Sequence, residues 1–186
     1  MNYVIREMKK PEYPLLSKFI YEAIFVPEGA VAPAKSIILS PDLQVYIDDF
    51  GTKNDDCCVV AQLDSGAIIG AAWVRIMNDY GHVDDETPSL AISVYKQYRR
   101  LGIGTAMLKT LLSILQANGY QKTSLAVQKV NYAVKLYQQL GYKIVAENEQ
   151  EYIMVHYLQR KTPDNPLCIS LHTYPSIQFA GAANDE

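Results

Sequence analysis

Between Tyr95 and Gly104 the chain reads Tyr-Lys-Gln-Tyr-Arg-Arg-Leu-Gly-Ile-Gly, which crowds Lys96, Arg99 and Arg100 immediately ahead of Gly102 and Gly104. The chain as a whole carries a formal net charge of −3, so this is a local reversal of sign. An apolar run over residues 90–94 precedes it, and a helical pattern follows. That arrangement suits a phosphate group. Glycine lets the backbone approach a ligand closely and take positive φ, while the first N–H groups of a helix lack intrahelical acceptors and lie at the positive end of its dipole. The cations add the charge a polyphosphate requires. The same residues are also compatible with a glycine-rich turn bearing solvated arginines.

Other chemistries fit poorly. No Gly-x-x-x-x-Gly-Lys-Ser/Thr occurs, so the loop is not a P-loop. A dinucleotide fingerprint needs a third small residue where Met107 stands, and it opens an early βαβ unit. The three histidines (His82, His156, His172) and three cysteines (Cys57, Cys58, Cys168) show no metal-ligand spacing, and no Gly-x-Ser-x-Gly elbow is present. No metal is expected.

The elements that must position this loop can be read from periodicity. Strands are expected at Tyr3–Glu7, Cys57–Leu63 and residues 67–77, with a hairpin turn at Asp64-Ser65-Gly66. Further strands fall at residues 90–94, 123–128, 143–146 and 152–158. Helical spacing covers residues 15–24, 105–117 and 131–140, and a shorter helix is expected over 42–50, between Pro41 and Gly51. Asn131 suits a helix N-cap. Residues 78–89 hold Asp79, Gly81, Asp84, Asp85, Glu86 and Pro88 and read as a polar loop. The order is mixed α/β.

With 186 residues, 49% hydrophobic and 20% charged, the chain suits one compact domain over residues 1–158. A tail over 159–186 follows, whose middle, 167–171, alternates enough to form a strand and could be a docked arm. The acidic balance argues against a nucleic-acid binder. The apolar stretches are too short for a membrane span, and no secretory signal is visible. Sparse cysteines fit a reducing compartment, so a cytoplasmic location is expected.

Two motifs carry a family resemblance. Arg99-x-x-Gly102-x-Gly104 at the exit of a strand, and then Asn131-x-Ala133-x-x-Leu136-Tyr137-x-x-x-Gly141-Tyr142, together resemble the GNAT superfamily of N-acetyltransferases. The resemblance implies a mostly antiparallel sheet flanked by helices, in which two parallel strands splay apart around acetyl-CoA. It implies that the backbone of Ile92, Ser93 and Val94 bonds the pantetheine arm. The backbone of Arg99, Arg100, Leu101, Gly102, Ile103, Gly104 and Thr105 would cradle the pyrophosphate, with arginine side chains adding charge. Asn131 would contact the cofactor and Tyr137 would face its sulfur. A phenol, titrating near ~10, is a fitting donor to a thiolate whose acid titrates near ~8.5. By spacing alone Tyr137 lies on an apolar helical stripe, where a core role is equally natural.

The acceptor side is less marked. A lysine-like amine is mostly protonated at neutral pH, at a cost of roughly 4 to 5 kcal/mol in nucleophile availability. The strand glutamate that the resemblance implies would fall near Pro88, so the pattern departs from the family there. Glu86, acting through a water, is the expected base, with His82 as an alternative. Tyr21, Phe25, Trp73 and Arg75 are candidate pocket liners, and Arg75 calls for either a carboxylate partner or a carboxylated substrate. Acids at 48, 49, 55 and 56 would favour a cationic amine. The expected activity is acetyl transfer from acetyl-CoA to a primary amine on a small molecule or a protein, with a homodimer possible. The rival is a non-catalytic acyl-CoA sensor.

Overall fold

In the computed structural model, residues 1–158 and the backbone of 177–179 are described. Strand β1 (Tyr3–Glu7) is followed by helix α1 (Leu16–Ala23), a single helical turn α2 (Pro41–Gln44), and strands β2 (Cys57–Leu63), β3 (Ile68–Arg75) and β4 (Ser89–Val94). Helix α3 (Ile103–Ala117), β5 (Lys122–Gln128), α4 (Ala133–Gln139), β6 (Lys143–Glu147), β7 (Glu151–Tyr157) and β8 (Ile177–Phe179) complete the order. The strands form one sheet in the order β6-β7-β5-β4-β3-β2-β1-β8. Every neighbouring pair is antiparallel except β4 and β5. The fold class expected from the sequence is therefore the one observed. The expected strand over 167–171 lies outside the described residues.

The sheet is covered on both faces, and strand alternation sorts its side chains between them. Ile69, Val74, Leu90, Val94, Leu125 and Val127 pack against the Met107, Leu108, Leu111 and Leu115 stripe of α3. Ala71, Trp73 and Ala91 face the other way, onto Leu16, Phe19 and Ile20 of α1. Helix α3 ends as a Schellman motif, with Tyr120 N–H donating to Leu115 O and Gly119 N–H to Gln116 O.

The helix expected over 42–50 stops after one turn. Its carbonyls are diverted to the sheet: Trp73 Nε1 donates to Tyr46 O at 3.1 Å, and Arg75 Nη1 donates to Val45 O at 3.1 Å and Asp48 O at 2.7 Å. Asp49 then takes φ +49° and Gly51 φ +91°, which no helix continues through. Arg75 also forms a two-pronged ion pair with Asp56, both side chains almost fully buried. The carboxylate partner anticipated for Arg75 is thus Asp56. Trp73, with 0% exposure, is sealed in the core. Neither Trp73 nor Arg75 lines a pocket, because their polar atoms and surface are committed to closing the 45–56 segment over the sheet.

Candidate active site at the divergence of two strands

Strands β4 and β5 run parallel but share one registered pair, Ser89 with Ser124. Ser124 N–H and Thr123 Oγ1 both donate to Pro88 O, at 3.1 and 2.8 Å. Past this point the strands part. β4 stays zipped to β3 through six pairs and β5 to β7 through seven. Tyr95 N–H donates to Ile69 O on β3, so by alternation the backbone of Ser93 also turns to β3, while that of Ile92 and Val94 turns into the gap. Ser93 is therefore a correction. Its peptide faces its neighbour strand, and its hydroxyl donates to Phe19 O at 2.7 Å.

At the open end of the gap the chain bends into α3. Arg100 takes φ +64° and Gly102 φ +76°, and Gly102 is the residue preceding the helix. Ala106 N–H closes the first helical bond to Gly102 O at 3.0 Å, which leaves the N–H groups of Ile103, Gly104 and Thr105 pointing out of the helix end. At Gly104 an added Cβ would meet only Ile92 Cδ1 at 3.8 Å and Leu136 Cδ2 at 4.0 Å. Those are ordinary contacts, so the fold itself does not demand glycine there. What glycine provides at 104 is clearance between β4 and α4, in line with a ligand's path along the gap.

The two arginines divide their work. Arg99 Nε donates to Val94 O at 2.7 Å, and its Nη2 reaches Glu22 O and Glu22 Oε2 at 3.1 and 3.2 Å. Its own N–H donates to Lys96 O. Arg99 is thus a strut from the loop to α1, not a free charge, because Glu22 neutralises it. Arg100 is exposed and lies over the Tyr132 ring at 5.7 Å. It forms no ion pair among the described residues. Lys96, also exposed, forms no ion pair among the described residues either, so these two cations of the loop stay unneutralised.

On the far wall, Asn131 Oδ1 accepts from Ala133 N–H at 2.9 Å, and Asn131 O accepts from Val134 N–H, so the expected cap is present. Tyr137 is 8% exposed and packs edge-on against Tyr142 at 5.7 Å. Burial pushes its phenol above the ordinary range, so it stays protonated at neutral pH. Its hydroxyl makes no hydrogen bond among the described residues, which leaves its proton available.

The model of the Acetyltransferase (GNAT) family matches residues 22–142, which run from the end of α1 through Tyr142 and contain both walls of the gap. The chain belongs to that family. A mouse relative, N-acetyltransferase family 8 member 7, is 28% identical over 116 residues, covering 62% of this chain and 51% of its own length. The chain thus spans about half of that relative. Among solved structures, the ribosomal-protein-S18-alanine N-acetyltransferase of Escherichia coli superposes with TM-score 0.60 at 18% identity, over 89% of this chain and 99% of that one. A phosphinothricin acetyltransferase of Sinorhizobium meliloti, solved with acetyl-CoA, also gives 0.60 at 18%, over 94% and 97%. One is named for a protein substrate and the other for a small molecule, so the shared GNAT fold leaves the acceptor open.

Within this GNAT fold the acceptor-side expectations change. Glu86 is exposed, and the contact recorded for it is its N–H donating to Asp84 Oδ1. Glu86 faces solvent beside Asp84, which is tied to Lys122 Nζ at 2.5 Å and Thr87 Oγ1 at 2.6 Å. His82 Nδ1 sits 3.0 Å from Met77 O. Asp55 accepts from the Ile76 amide and Asp56 from Arg75, which removes both from any cation-recruiting surface. Tyr21 donates to Pro33 O at 2.7 Å and fastens the following loop to α1. Phe25 is half-buried at the end of that helix. The carboxylate drawn inward is Asp79, which the sequence showed only as one acid of a polar loop. The signal was Gly81 beside it, since glycine in a polar loop can mark a close backbone approach. No group of metal-ligating side chains is assembled among the described residues.

Proposed function

We propose that this chain transfers the acetyl group of acetyl-CoA to a primary amine of a small molecule or protein. The observation that carries the reading is the parting of β4 from β5 after one pair, aimed at a helix end with free N–H groups. The outward N–H groups of Ile103, Gly104 and Thr105 hold the pyrophosphate, with Arg100 adding charge. Ile92 and Val94 offer backbone groups to the pantetheine arm in the manner of an added strand. The Asn131 amide nitrogen, left over from capping, reaches the same ligand. Acetyl-CoA supplies an activated acyl carbon. Tyr137 holds a proton for the departing sulfur, which supports its assignment as the acid.

Calorimetry with acetyl-CoA, followed by an amine panel with free-thiol detection, tests this reading. Binding with amine-dependent thiol release is the expected outcome. Binding without release from any amine would leave a CoA-binding protein only, and absence of binding would remove the cofactor assignment.

A further inference from the structure

On the face of the sheet opposite α3, the closed end of the gap is lined by hydroxyls. Ser89 and Ser124 are 1% and 0% exposed and are register partners across β4 and β5. Their side chains share a face, since Leu90 and Leu125 point the other way. Loop residues 79–81 press onto them. A Cβ on Gly81 would stand 2.6 Å from Ser89 Oγ, and 2.9 Å from both Ala126 N and Leu125 C, so the loop backbone sits directly against the splay.

This approach delivers Asp79. Its Oδ2 accepts from Ser89 Oγ and from Tyr46 Oη, both at 2.7 Å. Its Oδ1 is buried and meets no donor, and Ser124 Oγ is likewise enclosed without a partner. One carboxylate oxygen is therefore clamped while the other is left without a partner beside the vertex. Burying a carboxylate oxygen without a donor is costly, and Asp79 forms no ion pair among the described residues. Asp79 also lines, with Asp42, Asn78 and Tyr80, a cavity of about 200 Å³ at the surface of the loop.

We propose that Asp79 is the catalytic proton acceptor for the acceptor amine, which enters through this cavity as an ammonium ion. The inference rests on the acetyl-transfer reading above. Asp79 Oδ1 takes one proton from R–NH3+, directly or through one water held by Ser124 Oγ. The amine nitrogen forms its bond to the acetyl carbon and the C–S bond breaks. A second nitrogen proton compensates the one Tyr137 gives to sulfur. The products are amide, thiol and one proton, which Asp79 returns to solvent.

The groups facing Asp79 are few. Tyr46 is held protonated by burial and by Asp79 itself. Tyr80 donates to Asp42 Oδ2 at 3.1 Å across the cavity mouth. Glu151 at the start of β7 adds negative potential at both tyrosines. His82 shares the loop, with Nδ1 directed to Met77 O. Ser89 and Ser124 are neutral.

The test is thiol release from acetyl-CoA with n-butylamine, spermidine and an alanyl dipeptide, between pH 6 and 10. Asp79→Asn is expected to lower kcat/KM by about 100-fold near pH 7. The deficit should shrink steadily toward pH 10, where the amine deprotonates unaided. Acetyl-CoA affinity by calorimetry and the melting temperature should stay near wild type. Ser89→Ala, which keeps the carboxylate but loosens its clamp, is expected to lose about threefold to tenfold near pH 7 with the deficit likewise shrinking toward pH 10, and it serves if Asp79→Asn does not fold. A deficit constant across pH, or none, would overturn the role of Asp79 while leaving acetyl transfer intact. Wild-type protein that binds acetyl-CoA and releases no thiol with any probe would overturn both readings.

Discussion

Tyr137 is a single phenol on a helical stripe, and its surroundings decide what it does. The ring fills space beside Tyr142, while the hydroxyl makes no hydrogen bond among the described residues. Tyr137→Phe keeps the ring and removes only the proton, so it separates the two roles. We expect kcat to fall by roughly 10- to 1000-fold with acetyl-CoA affinity nearly unchanged. Steady-state kinetics beside calorimetry would read this, and wild-type turnover would return Tyr137 to a packing role. The arginines teach the complementary lesson. Arg99 and Arg100 are adjacent and identical in type, yet one is neutralised by Glu22 and the other lies over Tyr132 with no ion pair among the described residues. Nothing in local spacing separates them, because the Glu22 partner lies in a different element. Asp79 likewise looks like any other acid of its loop in the sequence, because Tyr46 and Ser89, which clamp it, lie in other elements.

The β3–β4 loop acts as a rigid insert. Lys122 on β5 holds Asp84, Thr87 closes the turn, and Gly81 seats the loop on the backbone of Leu125 and Ala126. A methyl group at 81 has no room against backbone, so the loop must lift. Gly81→Ala is expected to destabilise by about 1 to 3 kcal/mol, a drop in melting temperature of about 2 to 4 °C for each kcal/mol at this size. Because Asp79 lies on the lifted segment, turnover should fall as well. A calorimetric melt at wild-type temperature would show that the loop does not seat this way. Helix α2 shows how elements answer to the sheet. Pro41 and Gly51 as flanking signals predict a short helix over 42–50, and the carbonyls it would need are instead claimed by Trp73 and Arg75. Burying an arginine requires satisfying its donors, and the nearest carbonyls did so at the helix's expense.

In the proposed reaction the sheet separates two tasks: the α3 face would meet the donor's path and the α1 face would receive the acceptor. The loop that closes the second face depends on ionisation. Asp84 is held at about 2, first by the hydrogen bond from Lys122 and then by that from Thr87. Glu12 is lowered chiefly by its bond to Arg6. Both folded values lie below the unfolded ones of roughly 3.9 to 4.3. Their contribution is therefore present above that range and is lost as pH falls through the folded values. Lys122→Met should lower the melting temperature at pH 7, and the difference from wild type should close as pH approaches 2. A difference that persists unchanged in acid would deny the ion pair its role. The sequence by itself determined what is local: the alternation that builds the strands, the α3 stripe, the cap at Asn131, and a glycine loop whose cations and free amides mark an anion site. Such features depend on neighbours within a few residues. Only the tertiary structure decided which charges stay free, where β4 leaves β5, and which carboxylate reaches the vertex. Those outcomes depend on burial, and burial is set by elements that meet only after the chain has folded.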